Sequence, residues 1–305
     1  MSQRRDELEG LTTEARNPRT KELDTVSTLE MVRMINDENR VLAQAVDGES
    51  EAIARAVDLT ADRLKKGGRL IYIGAGTSGR LGVLDASECP PTFSMDPGQV
   101  VGIIAGGDRA LRLPSENAED KPETARADLA AVGVCDKDVV CGIAASGRTP
   151  YAAAGLQYAR EKGAATLCIT NNKNSLLGRY SDVAMEVDVG PEALTGSTRM
   201  KSGTAQKLVL NLLSTGVAVR LGKVYSNLMV DVKASNVKLN IRCLNILGEI
   251  FPDKTEEEFS AALAEAGGSV KLAAVILGRG LDAAGARQLL DRCGGYLRKA
   301  LEEEV

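Results

Sequence analysis

Two short loops in this chain combine glycine with hydroxyl side chains, and each follows an apolar run. The first is Gly74-Ala75-Gly76-Thr77-Ser78-Gly79, after Leu70-Ile71-Tyr72-Ile73. The second is Ser146-Gly147-Arg148-Thr149, after Val139-Val140-Cys141-Gly142-Ile143. Small residues let a backbone come close to a ligand, and hydroxyls donate to it. A helix starting behind each loop offers free N–H groups and the positive end of its dipole. That chemistry suits a phosphate monoester gripped from two sides, by Gly76, Thr77 and Ser78 and by Ser146, Gly147, Arg148 and Thr149. Glycine turns also serve strand-to-helix junctions that bind nothing, and that reading stays open.

The first loop formally matches the G-x-G-x-x-G dinucleotide fingerprint. A dehydrogenase also needs an acidic residue about 20 positions on, at the end of the second strand. Asp96 has the distance but precedes that strand, and Asp108 lies too far along. The dinucleotide reading is therefore set aside. The chain has no histidine, which excludes a Ser-His-Asp triad, a His-activated cysteine and any His-ligated metal. Acid and base work near neutral pH then falls to carboxylates, Lys, Tyr or Cys. Six cysteines are scattered without a C-x-x-C pair and read as reduced thiols filling core space.

The elements that must carry these loops follow from patterning. Short apolar runs at Val100–Ile104 and Ala165–Ile169 join the two above, with Ala184–Val187 as a further candidate. Ala-rich, helix-compatible stretches separate them, so βαβ units and a parallel sheet covered on both faces are expected. Ser27-x-x-Glu30 and Thr255-x-x-Glu258 are capping boxes. The first should open a helix reaching about Val46, and a long Leu/Val-rich helix is expected from about Thr204 to Arg220. Beyond about Asn240 strand patterning disappears. The expected organisation is an N-terminal segment and helix (1–50), an α/β main domain (51–240) and a helical subdomain (241–305).

A chain of 305 residues can bury roughly 75% of its unfolded surface, so its core needs no disulfide or metal. A net charge of −4, with 3% aromatic residues and no Trp, argues against a nucleic-acid partner. No run of about 18 apolar residues occurs, so no membrane span is expected. The polar start, Met1-Ser2-Gln3-Arg4-Arg5-Asp6, lacks a signal-peptide core, and a cytoplasmic location is expected.

Gly-Thr-Ser on one loop and Ser-Gly-x-Thr on the other resemble the sugar isomerase (SIS) domain, a phosphosugar-binding fold. Longer strings narrow the likeness. Gly74 to Pro91, Gly142 to Pro150, Leu194 to Lys207, Asn227 to Val232 and Gly294 to Ala300 resemble N-acetylmuramic acid 6-phosphate etherases. The likeness spans nearly all the chain except its first twenty residues. It implies a three-layer SIS-type sheet with a small helical appendage, a homodimer, and cleavage of a sugar–lactate ether without metal or organic cofactor. By the same resemblance Glu88 is the proton donor to the ether oxygen and Glu119 the base at C2. Ser197, Arg199 and Lys201 then become candidate ligands for the substrate's anionic groups, with Arg80 and Arg148 beside the phosphate loops. Both glutamates could instead be solvated helix-end carboxylates. An aldose–ketose phosphosugar isomerase and a non-catalytic sugar-phosphate sensor are the competing functions. Isomerases of this fold often open the ring with a histidine, which this chain lacks.

Overall fold

The computed structural model describes residues 10–115, 117–232 and 237–303. Five apolar runs form one parallel sheet: β1 (Leu70–Gly74), β2 (Val100–Ile104), β3 (Val139–Ala144), β4 (Ala165–Thr170) and β5 (Val183–Glu186). Their spatial order is β2-β1-β3-β4-β5. β1, β3 and β4 are buried along their whole length, as parallel strands covered on both faces must be. The α/β class expected from the sequence is thus the observed one.

Before the sheet come α1 (Thr28–Glu38), α2 (Leu42–Asp47) and α3 (Ser50–Lys65). Ser27 and Glu30 close the capping box in both directions. The expected single helix to Val46 is broken by a 3₁₀ turn at Asn39–Val41; Asn39, a weak helix former, caps α1. Between and after the strands run α4 (Gly76–Phe93), α5 (Arg109–Arg112), α6 (Pro122–Ala131), α7 (Pro150–Glu161), α8 (Leu176–Arg179) and α9 (Lys201–Arg220). Pro90 and Pro91 lie inside α4. Its last turn continues through Pro90 and Pro91, which donate no N–H. On one side of the sheet Ile71, Ile73 and Val140 pack with Leu129 of α6 and Ala152 and Leu156 of α7.

Contacts divide the chain into two units. The first runs up to Ser87 and resumes over Gly98–Ser214; the second holds Glu88–Pro97 and Thr215 onward. The fading of strand pattern near Asn240 therefore marks the last stretch without sheet, whereas the contacts part earlier, inside α9. The second unit contains the hairpin β6 (Val224–Tyr225) and β7 (Leu228–Met229). Its helices are α10 (Val237–Ile250), α11 (Glu256–Glu265), α12 (Val270–Arg279), α13 (Ala283–Arg292) and α14 (Leu297–Glu302). They bury Leu247, Phe259, Leu263, Ala273, Leu289 and Leu297 in a core of their own. Asp231 ties that unit together, pairing with Lys223 at 2.9 Å and Lys271 at 2.6 Å.

Candidate active site

The order of the strands decides where a ligand can sit. β1 pairs with β2 on one side and β3 on the other, so the connections after β1 and β3 leave in opposite directions and open a crevice at the strands' carboxyl ends. Those two connections are the hydroxyl loops, brought side by side by the pairing of Gly74 with Ile143.

Each loop is shaped by a glycine that nothing larger replaces. A Cβ on Gly79 would stand 2.6 Å from the Gly74 carbonyl oxygen, so α4 could not begin so close to its strand. Gly147 has φ +69°, and a Cβ there would meet Ser175 Cβ at 2.4 Å. The Gly147 N–H is spent on the Ala144 carbonyl at 3.1 Å, so this glycine shapes the turn. Pro150 then starts α7 at its first position, and Thr149 makes no side-chain cap bond to the helix.

Between the loops lies a cavity of about 560 Å³. Gly76, Thr77 and Ser78 form one wall and Ser146, Arg148 and Thr149 another; Thr198, Glu119, Asp120 and Glu14 complete it. A smaller cavity of about 240 Å³ shares Ala75, Gly76 and Glu119 and includes Arg80. The Arg80 guanidinium donates to the Leu111 and Leu113 carbonyls, bracing that segment.

The two serines are not equivalent. Buried Ser78 donates to Gln206 Oε1 at 2.9 Å, and Gln206 donates in turn to Asn171 Oδ1 at 3.0 Å. Ser146 Oγ instead accepts from the Arg148 N–H at 3.2 Å, which keeps its own O–H for a ligand. Losing a hydrogen bond to a charged group costs about 1.5–3 kcal/mol, or roughly 10- to 150-fold in affinity. Ser146→Ala should therefore weaken phosphate-ester binding on that scale with little change in melting temperature. Ser78→Ala should also lower stability, because Gln206 loses its donor. Calorimetric titration beside thermal unfolding separates them, and identical profiles for the two variants would refute the distinction.

Glu119 reaches the cavity because its main chain is pinned. Its carbonyl accepts from the Tyr151 N–H at 3.0 Å, in the first turn of α7. Tyr151 is anchored by its hydroxyl, which donates to Asp128 Oδ2 at 2.5 Å, and burial followed by that carboxylate pushes the phenol pKa up. The Glu119 side chain is exposed at the cavity wall. Its neighbour Asp120 lines the same cavity, while Glu116 lies outside the described residues.

Comparison with known proteins gives this arrangement a family. Residues 52–160 match the glucokinase regulatory protein N-terminal SIS domain and residues 119–215 the SIS domain. N-acetylmuramic acid 6-phosphate etherase of Mycolicibacterium smegmatis is 52% identical over 97% of this chain and 99% of its own length. The same-named protein of Yersinia pestis is 55% identical over 96% of this chain and 99% of its own. The chain belongs to the N-acetylmuramic acid 6-phosphate etherase family. A solved protein of Bacteroides fragilis, described as a phosphosugar isomerase involved in capsule formation, shares the fold with a TM-score of 0.51. It is 22% identical, over 66% of this chain and 95% of its own.

Not every residue that the etherase strings single out lies in the cavity. Lys201 is 1% exposed, and its ammonium pairs with Glu38 Oε2 at 2.8 Å. It is a buried cation paired in the core, away from the cavity wall. Nor does the N-terminus of α9 take an anion. Buried Glu192 fills it, accepting from the Lys201 and Ser202 N–H groups at 2.9 Å each. In the preceding turn the cavity wall is Thr198, whereas Ser197 is half-buried and Arg199 exposed, both off that wall. Glu88 sits on α4 and is not among the residues that line the cavity. It is exposed in the single chain. Sequence reasoning missed Glu14, Thr198 and Gln206. Thr198 and Gln206 had a sequence signal, since both lie inside the Leu194–Lys207 string, whereas Glu14 had none.

Proposed function

We propose that this chain cleaves the D-lactyl ether of N-acetylmuramic acid 6-phosphate, releasing D-lactate and N-acetylglucosamine 6-phosphate in the recycling of cell-wall amino sugars. The carrying observation is a cavity that joins two hydroxyl loops at the β1/β3 crevice to Glu119, in a chain more than half identical to named etherases. An ether is inert unless its oxygen sits β to an acidic C–H. Opening the sugar ring exposes an aldehyde at C1 that acidifies the C2 proton. Glu119 removes that proton, Glu88, brought to the cavity by a second copy of the chain, protonates the ether oxygen at C3, and the C3–O bond breaks to free lactate. Water activated by Glu88 then adds to C3 of the unsaturated aldehyde, and a proton returns to C2. General acid and base groups in opposite protonation states suffice for both halves. The loops hold the phosphate, with Arg148 as the cation on the wall.

We further propose a cytoplasmic homodimer. Among the described residues no helix is long and apolar enough to cross a membrane. Leu29 and Val32 of α1 are 59% and 52% exposed, and Leu84, one turn before Glu88 on α4, is 45% exposed. Apolar side chains on such faces suit a second copy better than water. Sedimentation equilibrium should return twice the mass of one chain, and a monomer at micromolar concentration would dismiss the dimer.

Incubation with N-acetylmuramic acid 6-phosphate and an enzymatic lactate assay tests the activity itself. Stoichiometric lactate is the expected result. Binding without lactate would favour a sensor, and a ketose phosphate product an isomerase.

A further inference from the structure

The segment from Leu11 to Thr20, which the motif resemblance does not reach, is built into the first unit like a strap. Leu11, Thr13, Asn17 and Thr20 are buried. The Thr12 N–H donates to Asn172 Oδ1 at 2.9 Å, and the Asn17 amide to the Pro191 carbonyl at 3.1 Å. Thr20 Oγ1 donates to the Ala193 carbonyl at 2.8 Å. Asn172 is the junction. Its amide nitrogen donates both to Thr13 Oγ1 at 3.1 Å and to the carbonyl of Ala145, beside Ser146, at 3.0 Å. The strap is thereby tied to the second hydroxyl loop.

Glu14 ends the 3₁₀ turn of this strap, Thr12–Glu14. Its carboxylate is exposed, lines the cavity and makes no ion pair among the described residues. A carboxylate is badly placed beside a phosphate. Two like charges in close approach repel. Its favourable partners are neutral donors, and a sugar offers several hydroxyls and an amide N–H.

We propose that Glu14 is a sugar-binding residue of this site, its carboxylate accepting hydrogen bonds from neutral O–H or N–H groups of the ligand while the two loops hold the phosphate. The proposal rests on reading the cavity as a sugar-phosphate site. It makes the strap a determinant of specificity: phosphate alone satisfies the loops, and only a sugar phosphate engages Glu14.

The test measures two ligands on three proteins. N-acetylglucosamine 6-phosphate and inorganic phosphate are titrated calorimetrically into wild type, Glu14→Ala and Glu14→Gln, with melting temperatures recorded. Glu14→Ala should weaken the sugar phosphate roughly 10- to 150-fold, the usual cost of a lost charge-assisted hydrogen bond. Inorganic phosphate should bind as tightly as before or slightly tighter. Glu14→Gln, which keeps an acceptor oxygen, should fall between. Unchanged sugar-phosphate affinity in both variants would overturn the proposal. So would parallel loss of both ligands with a lowered melting temperature, which would make the strap structural only. Failure of wild type to bind the sugar phosphate at all would remove the underlying site reading and the proposal with it.

Discussion

Replacing Glu88 by Gln should stop lactate release while leaving the C2 proton free to exchange. The amide keeps the side-chain size but supplies no comparable proton to the ether oxygen. Lactate release should therefore fall by about 100- to 10,000-fold, the usual worth of general acid catalysis. Deprotonation at C2 needs only the aldehyde and a base, so substrate recovered from heavy water should carry deuterium there. Glu119→Gln should abolish both exchange and lactate release. Mass spectrometry of recovered substrate and a lactate assay read the two steps separately. If Glu88→Gln blocks exchange while Glu119→Gln permits it, the roles are reversed. Full activity in both variants would make the two glutamates bystanders. The exposure of Glu88 in the single chain sharpens the experiment, because a proton donor ordinarily sits in a drier place. A dilution series on the wild type should thus show lactate release falling as the dimer dissociates.

A loss of about 3–5 kcal/mol is expected for Glu38→Ala, a residue that does not line the cavity. Glu38 is 3% exposed and holds two cations, Arg19 at 2.6 Å and Lys201 at 2.8 Å. Removing the carboxylate strands the Lys201 ammonium, which is 1% exposed, and an uncompensated buried charge costs that much. Lys201→Met should cost less, about 1–2 kcal/mol, because Arg19 still pairs the carboxylate. Urea midpoints measure both, and equal losses would show that Lys201 carries no stranded charge. The cluster also sets an acid limit. The Arg19 hydrogen bond, then Lys201 and Asn17, outweigh burial and hold the Glu38 carboxyl down to about 2. A depressed carboxylate stabilises the fold fully above its unfolded value, near 4.3, and loses that contribution as pH falls toward 2. Melting temperatures of wild type should drop more steeply across that window than those of Glu38→Gln. Parallel curves would mean that the cluster contributes nothing there.

Local features of this molecule were legible in its sequence because they depend on near neighbours. The strand runs, both capping boxes and the glycine-hydroxyl turns are each specified within a few residues by apolar pattern, cap chemistry and backbone freedom. The long helix after residue 200 was legible for the same reason. Helix interruption at Asn39 and continuation through Pro90 and Pro91 were not, since a weak breaker and a tolerated one differ only in their surroundings.

What the sequence alone determined was the α/β class, the two loops able to meet a phosphate, and, through extended motif strings, the family. Tertiary structure decided which loops meet, because the pairing of β1 with β3 joins residues some seventy positions apart. It also decided how the charged residues divide between core and cavity. Lys201 and Arg199 are two positions apart in one string, yet one is sealed against Glu38 and the other is in solvent. Glu14 reaches the cavity wall on a strap that Asn172 ties to the second loop and that Asn17 and Thr20 hold to the Pro191 and Ala193 carbonyls. A charge's role depends on what surrounds it in space, and burial and partner distance arise only when remote segments close together.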